Sequence, residues 1–442
     1  MHRNSETVST KLQRIAEKAR RDPSCMFTSL FHLMNKELLR ECFAMLRGDA
    51  AAGIDQVTKA EYGKRLEENL TVLVERLHRM SYSPLPVRRV YIPKPGSSKK
   101  RPLGIPALED KLVQAGLARI LTAIYEQDFI EDSFGFRPGR GCHDALRALS
   151  YEVEKKPVNY IVEADIKGFF DHVDHEWMMR FVAHRIADKR VQRYIKRFLK
   201  AGVMENGVVE NSDEGTPQGG VISPILANIY LHYILDLWFE RRYRPTCRGN
   251  VRIIRYADDW VACFQKEEEA RRFRHDMEER LIHFGLELAP EKTKILEFGP
   301  SARARAKRRG EKPETFDFLG FTHYCSRSRK GGWFRMKRIT ARKKFVAKVR
   351  IFKEWLRANR TLPIRDLMAK VASKLSGHFA YYGVTDNSSG LMRFAEVVRK
   401  LLFKWLNRRG KRGCMNWQKF MLLLAKFPLP KPRILVNLFT LS

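Results

Sequence analysis

The chain has 442 residues, 44% of them hydrophobic, which supports about two to four packed domains and excludes a disordered tail. It carries 84 Lys and Arg against 50 Asp and Glu, a formal net charge of +34. That excess points to a polyanion partner, because basic groups near phosphates release counterions. No stretch of about 18 apolar residues occurs, so no membrane-spanning helix is expected. The N-terminal MHRNSETVSTKLQRIAEKARRDPS lacks the apolar core of a secretory signal, and a cytoplasmic, bacterial-type location, free or beside the nucleoid, is expected. Cys25, Cys42, Cys142, Cys247, Cys263, Cys325 and Cys414 never form a C-x-x-C pair, which argues against zinc and against a disulfide framework.

Residues 1 to about 25 read as a polar lead-in helix and residues 26 to 80 as mainly helical. In FTSLFHLMNKELLRECFAML, Phe31, Met34, Leu38 and Leu39 recur at helical spacing. Gly53-Ile54-Asp55-Gln56 interrupts the pattern as a loop. PVRRVYIPKPGSSKKRPLGIP, residues 86 to 106, predicts a basic hairpin around a Gly-Ser-Ser-Lys-Lys turn. NYIVEAD predicts a strand, and HEWMMRFVAHRIADKRVQRYIKRFL a helix. GVMENGVVENS predicts a hairpin turning at Asn206-Gly207. GTPQGG is a glycine-bearing loop that opens a long amphipathic helix. On that helix Ile222, Ile225, Leu226, Ile229, Tyr230, Tyr233, Ile234 and Leu237 make one apolar stripe.

VRIIRYADDWVACF predicts strand, tight turn and strand, followed by a charged helix over 265 to 284. SARARAKRRGEKPE, from residue 301 on, reads as a basic linker next to a domain boundary. FDFLGFTHY and WFRMKR predict strands. Residues 340 to 440 are mostly helical, with Phe345, Val349, Phe352 and Leu356 as an apolar stripe. The fold class is α+β.

Three carboxylates carry the chemistry. Asp165 ends the apolar strand run, and Asp258 and Asp259 sit at the tip of the VRII…WVACF hairpin. A hairpin beside that strand brings all three together, and they then repel unless divalent cations lie between them. Mg²⁺ prefers oxygen ligands and fills its shell with water and substrate phosphates. Two such ions about 4 Å apart activate a 3′-hydroxyl and stabilise a leaving pyrophosphate. A basic chain with this acidic cluster suits nucleotidyl transfer to a nucleic-acid primer.

From roughly residue 50 to its end the chain resembles the reverse transcriptases encoded by group II introns. The resemblance rests on motifs in order: Arg101-Pro102-Leu103-Gly104-Ile105-Pro106, Phe134-Gly135-Phe136-Arg137-Pro138-Gly139-Arg140, Asp165 through Phe169-Phe170-Asp171, Gly215-Thr216-Pro217-Gln218-Gly219-Gly220, Tyr256-Ala257-Asp258-Asp259, and Phe318-Leu319-Gly320-Phe321. It implies a right-hand polymerase: an N-terminal helical extension over 1–50, fingers over 51–155, a palm of antiparallel sheet plus helices over 156–312, and a helical thumb, domain X, over 313–442. It also implies two Mg²⁺ ions, with Mn²⁺ as a substitute. Their ligands would be Asp165 and Asp258, the Ile166 backbone carbonyl, and Asp259 as a third, partly positional carboxylate.

The resemblance further assigns roles around the nucleotide. Phe170 packs under the incoming sugar and selects deoxynucleotides. Gln218 contacts the nucleotide or the adjacent template backbone. Lys94 and Arg101 close on the triphosphate or serve the template, as Arg88 and Arg89 do. Lys292 protonates or binds the leaving pyrophosphate. Arg137 and Arg140 contact template or stabilise the fingers. Tyr381 and Tyr382, in SGHFAYYGV, stack on RNA bases or pack in the core.

The expected partners are the intron RNA, an RNA template with a DNA or RNA primer, target DNA and dNTPs, and no membrane. Nothing after PLPKPRI resembles the family's Cys-bearing HNH endonuclease, so none is expected. Two other readings stay open: a splicing maturase that needs no polymerase activity, and a domesticated enzyme of defence or repair.

Overall fold

The computed structural model describes residues 7–93, 100–205, 208–210, 214–215, 219–328, 331–409 and 415–439. The N-terminal layer is helical. Helix α1 (Val8–Arg21), capped by the Thr7 hydroxyl, lies against α5 (Leu108–Tyr125), and between them come α2 (Lys36–Met45), α3 (Lys59–Gly63) and α4 (Leu66–His78). Asn35 caps α2, and Thr58 with Glu61 forms a capping box on α3. Helix α5 buries Leu112, Leu117, Ile120, Leu121 and Ile124 and is the centre of this layer.

Strands β1 (Val87–Pro93) and β2 (Lys100–Ile105) form the expected antiparallel hairpin, with Arg88 opposite Ile105. Its turn lies outside the described residues. After α6 (Cys142–Lys155) and β3 (Tyr160–Asp165), the single helix expected from residue 175 onward is two, α7 (His175–Ala183) and α8 (Lys189–Leu199). The break has a long-range cause. Residues 185–188 pair with Phe27: its N–H donates to Arg185 O and its carbonyl accepts from Ala187 N, each at 2.8 Å. The Asp188 carboxylate then caps α8 and also accepts from Leu30 N and Phe31 N. Short strands β4 (Val203–Glu205) and β5 (Val208–Glu210) follow, and β4 runs parallel to β1, completing a sheet of order β2-β1-β4-β5. The turn between them, Asn206-Gly207, lies outside the described residues.

Helix α9 (Ser223–Leu231) continues into π-helical turns over His232–Asp236 and Phe239–Tyr243. The helix is not amphipathic as expected: Asn228, His232 and Asp236, opposite its apolar stripe, are buried as well. Strands β6 (Val251–Tyr256) and β7 (Asp259–Phe264), helix α10 (Glu267–His283) and strand β8 (Lys294–Glu297) then complete an antiparallel sheet of order β6-β7-β3-β8. The stretch from residue 301 on is not a bare linker. It holds α11 (Ala302–Arg308), which buries Ala302 and Ala306 and aims Arg305 at Glu297, joined there by Arg309 just past the helix.

Strands β9 (Thr315–Phe318), β10 (Phe321–Arg327) and β11 (Phe334–Thr340) make a third antiparallel sheet. Its Phe316, Phe318, Phe321 and Met336 share one core with α6 and with Ile161, Ile254 and Val261 of the central sheet. Helices α12 (Arg342–Asn359), α13 (Ile364–Tyr382), α14 (Ser388–Leu406) and α15 (Trp417–Lys426) enclose a separate core around Phe352, Leu356, Leu375, Phe394 and Leu402. No described helix is long and apolar enough to cross a membrane.

Candidate active site

Strand β3 buries Ile161, Val162 and Ala164, leaves Tyr160 and Glu163 half-buried, and ends on the half-buried carboxylate of Asp165. Antiparallel register places Asp165 opposite Asp259 on β7. The β6–β7 hairpin closes with Tyr256 opposite Asp259, so Ala257 and Asp258 form its two-residue turn. Such a turn needs a left-handed residue, and Ala257 takes φ 57° at a cost of about 1–2 kcal/mol.

The strain is held from below. Arg255 is fully buried; its Nη1 donates to Ala257 O at 3.0 Å and to Asn228 Oδ1 at 3.0 Å. Its Nε and Nη2 donate to the two oxygens of buried Asp236 at 2.8 and 2.5 Å. Asn228 in turn donates to Gly135 O at 2.7 Å. Gly135 is pressed so close that a Cβ there would stand 2.3 Å from Ala257 N, which only glycine allows. Burial first of all pushes nearby His232 down to about 4, so it stays neutral beside Asp236.

Asp165 and Asp258 face a cleft of about 860 Å³. Lys100 and Arg101 bound it on the hairpin side, the 166–171 segment forms its floor, and residues 287–292 form its far wall. Burial first, then the charge of Asp165, pushes Asp258 up, while Arg101 pulls it down. Asp259 is pushed up to about 7 by its surroundings and then by Asp258 and Asp165. Its side is open to solvent, so the like charges are the cause we stand behind. The Lys292 ammonium pairs with Asp165 Oδ2. Among the described residues no three His, Cys, Asp or Glu side chains stand close enough to enclose a metal ion by themselves. The cluster is therefore open: crowded, mutually repelling carboxylate oxygens beside a cleft with room for phosphates, which fits a divalent cation completed by substrate and water.

A family model described as reverse transcriptase (RNA-dependent DNA polymerase) matches residues 92–323. The chain belongs to the reverse transcriptase family. It is an RNA-directed DNA polymerase, and the family's dependence on divalent metal comes with it. A second model, the group II intron maturase-specific domain, matches residues 342–421 of this reverse transcriptase. The chain is similar to the group II intron-encoded protein LtrA of Lactococcus lactis subsp. cremoris, 28% identical over 90% of this chain and 78% of that protein. It is also similar to protein YkfC of Escherichia coli (strain K12), 37% identical over 53% of this chain and 63% of that protein. A shorter match, 26% identical over 31% of this chain and 24% of the relative, is to nuclear intron maturase 2, mitochondrial, of Arabidopsis thaliana.

The cleft of this reverse transcriptase brings together Asp165, Asp258, Arg101, Phe170 and Lys292. Lys94 and Gln218 lie outside the described residues. Phe170 is half-buried and meets Phe169 edge-on at 5.2 Å, with Phe169 the core member of the pair. Ile166 lies between two backbone bonds, Lys167 N to Glu287 O and Ala289 N to Asp165 O, and its own carbonyl takes part in neither. Gly219 lies so close to β2 that a Cβ there would stand 2.4 Å from Gly104 O.

Six residues expected to meet nucleic acid make contacts within the protein, and of these only Arg137 is buried. Arg137 is buried, paired with Glu126 at 2.7 Å, and donates to Ile130 O and Ser133 O. Of the two readings of that residue, the geometry is that of stabilising the fingers. Arg140 donates to Glu131 O and lies over the Phe134 ring. Arg88 donates to Ala52 O at 2.7 Å, and Arg89 lies 3.8 Å from Glu205. Tyr381 and Tyr382 are half-buried and pack against the core beneath the third sheet, each with its ring on Phe321.

Asn228, Asp236 and Arg255 were not anticipated. Their signal was present: Asn228, His232 and Asp236 recur at four-residue spacing on an otherwise apolar helix, next to an arginine inside an apolar strand.

Proposed function

We propose that this chain copies RNA into DNA at the Asp165–Asp258 cleft and that its maturase region holds the intron RNA from which it derives. The single observation that supports this most is the register that puts Asp165 opposite Asp259, with Asp258 at the turn, on the wall of a cleft bounded by Arg101 and Lys292. Asp165 and Asp258 would hold two Mg²⁺ ions, with Mn²⁺ as a substitute, and the Ile166 carbonyl is available to them. When bound, those cations activate the primer 3′-hydroxyl and offset the charge of the leaving pyrophosphate. Arg101, joined by Lys94, closes on the triphosphate. Lys292 leaves Asp165 to hold the pyrophosphate or give it a proton. Gln218 orients the nucleotide or the template beside it, and Asp259 positions the turn.

Phe170 stands where a sugar lying on the floor of the cleft would meet its ring, leaving no room for a 2′-hydroxyl. Phe170→Ala is expected to raise ribonucleotide incorporation at least about tenfold at matched dNTP use, read by alkali-labile sites in the product. Unchanged sugar selection would remove Phe170 from this role.

A second observation supports the RNA-holding role. Arg350, Lys353, Arg357, Arg360, Lys404 and Arg408 surround a recess of about 780 Å³ between α12 and α14, a surface suited to phosphates and not to base readout. The template with its DNA or RNA primer, the target DNA and a cytoplasmic location close to the nucleic acid complete the reading. Purified protein given an RNA template, a primer and dNTPs is expected to make full-length cDNA with Mg²⁺ and none after chelation, with activity returning on re-addition. RNA that co-purifies with the protein is expected to be its intron. Efficient splicing without any cDNA would replace this reading with that of a maturase alone.

A further inference from the structure

The thumb motif that the polymerase chemistry leaves unused is Phe379-Ala380-Tyr381-Tyr382-Gly383. Tyr381 Oη donates to Leu319 O at 3.0 Å. Leu319 and Gly320 form the turn between β9 and β10, both left-handed, at φ 49° and 81°. For a leucine that conformation is strained and persists only where neighbours hold it. A Cβ at Gly320 would stand 3.1 Å from Tyr382 Oη, so a larger residue is crowded there, but the hydrogen bond to the turn comes from Tyr381. The Tyr381 ring stacks on Phe321, with centroids 6.2 Å apart and planes 9° apart. Its carbonyl meets His143 Nε2 of α6 at 2.8 Å, and Gly383 O accepts from Leu435 and Val436, so the end of α13 is fixed from three sides.

On its other side the same turn reaches the catalytic hairpin. Strand β9 packs on β7, and the Leu319 N–H is aimed at the Asp259 carboxylate, which it works to lower. Asp165 and Asp258 line the nucleotide cleft; Asp259 and Leu319 do not. In an in-line displacement the attacking hydroxyl comes from the side opposite the leaving group. With the triphosphate lying in the cleft between Arg101 and Lys292, the growing 3′ end arrives from the side of the Asp258–Asp259 turn outside that cleft, where the Leu319–Gly320 turn sits.

Resting on the cleft assignment above, we infer that Tyr381 is a positioning residue: by holding the Leu319 carbonyl it ties thumb helix α13 to the turn beside Asp259 and so fixes where the primer terminus stands. The motif then acts without touching nucleic acid. It makes the placement of the 3′-hydroxyl depend on the thumb, the element expected to grip the duplex.

The test is Tyr381→Phe, which keeps the ring and its stacking and removes only the hydroxyl, with Tyr382→Phe and, because Cys142 also meets the Tyr381 hydroxyl, Cys142→Ala as the controls. The expected result is a roughly three- to tenfold fall in kcat for primer extension, the cost of one lost hydrogen bond expressed in rate. KM for dNTP is expected to stay within about twofold, and the loss to be larger on a primer with a mismatched 3′ end than on a matched one. Tyr382→Phe and Cys142→Ala are each expected to keep wild-type kcat. The inference is overturned if Tyr381→Phe keeps wild-type kcat, or if its loss tracks a lowered melting temperature and disappears on cooling the assay. Wild-type protein is run beside it: cDNA from the wild type with no effect of the variant sinks the positioning role alone, whereas no metal-dependent cDNA from the wild type sinks the cleft assignment.

Discussion

Asp258→Asn is expected to lower cDNA synthesis at least about a thousandfold while leaving the fold intact. Asparagine has the shape of aspartate but carries no charge, and a cation held by carboxylate oxygens contributes several kcal/mol of transition-state stabilisation; about 4 kcal/mol corresponds to that factor. Asp165→Asn is expected to match it. The fold gains nothing from the Asp258 charge, since burial first and then its carboxylate neighbour push that group up. Removing one like charge should therefore raise stability without metal by about 0.5–2 kcal/mol, as happens where a site is strained for function. Single-turnover primer extension and thermal melts in chelator measure the two effects. An inactive variant that also melts several degrees lower would mean that the carboxylate was structural, and near-normal extension would refute the assignment of these residues.

Asp236→Asn is the second large effect, and its sign is opposite for stability. Asp236 and Arg255 are both fully buried and joined by two hydrogen bonds. Neutralising one partner strands the other charge in the core and costs about 3–5 kcal/mol. That is expected to lower the melting temperature by about 10 °C. Activity should fall as well, because Arg255 also holds the strained Ala257 carbonyl. The double variant Asp236→Leu with Arg255→Met separates the two effects. It is expected to recover most of the stability, since well-packed apolar pairs replace buried ion pairs without loss. It should not recover activity, because nothing then holds the turn. Full recovery of both would show that the pair serves only the core.

What was legible in the sequence was what local pattern determines. The strand of Asp165 and the hairpin of Asp258 and Asp259 were visible because apolar runs end at acidic residues there, and both hairpins near residues 90 and 205 carry their own turn signals. Hidden were the features set by partners far along the chain. The break between α7 and α8 depends on Phe27, which no window around residue 186 contains. Helix α11 was masked by its arginines, whose charge suggested a linker although Ala302 and Ala306 mark a buried face. Arginine on the fingers was open to two readings, template contact or support of the fold, and Arg137 sits beneath the surface because Glu126 and two carbonyls await it. Charge counts a residue's potential partners without saying which one it finds.

The order of strands in the catalytic sheet carries a consequence for biogenesis. Strand β3 leaves the ribosome first, yet both its neighbours, β7 and β8, come much later, at 259–264 and 294–297. Until then the apolar run from Tyr160 to Ala164 has two open edges and no sheet to join. A nascent chain in that state is prone to sticking to others, and pairing across such sequence distance is slow. Truncated transcripts that end between these strands should therefore yield insoluble product, and Asp165 and Asp259 can meet only when synthesis has passed well beyond both of them.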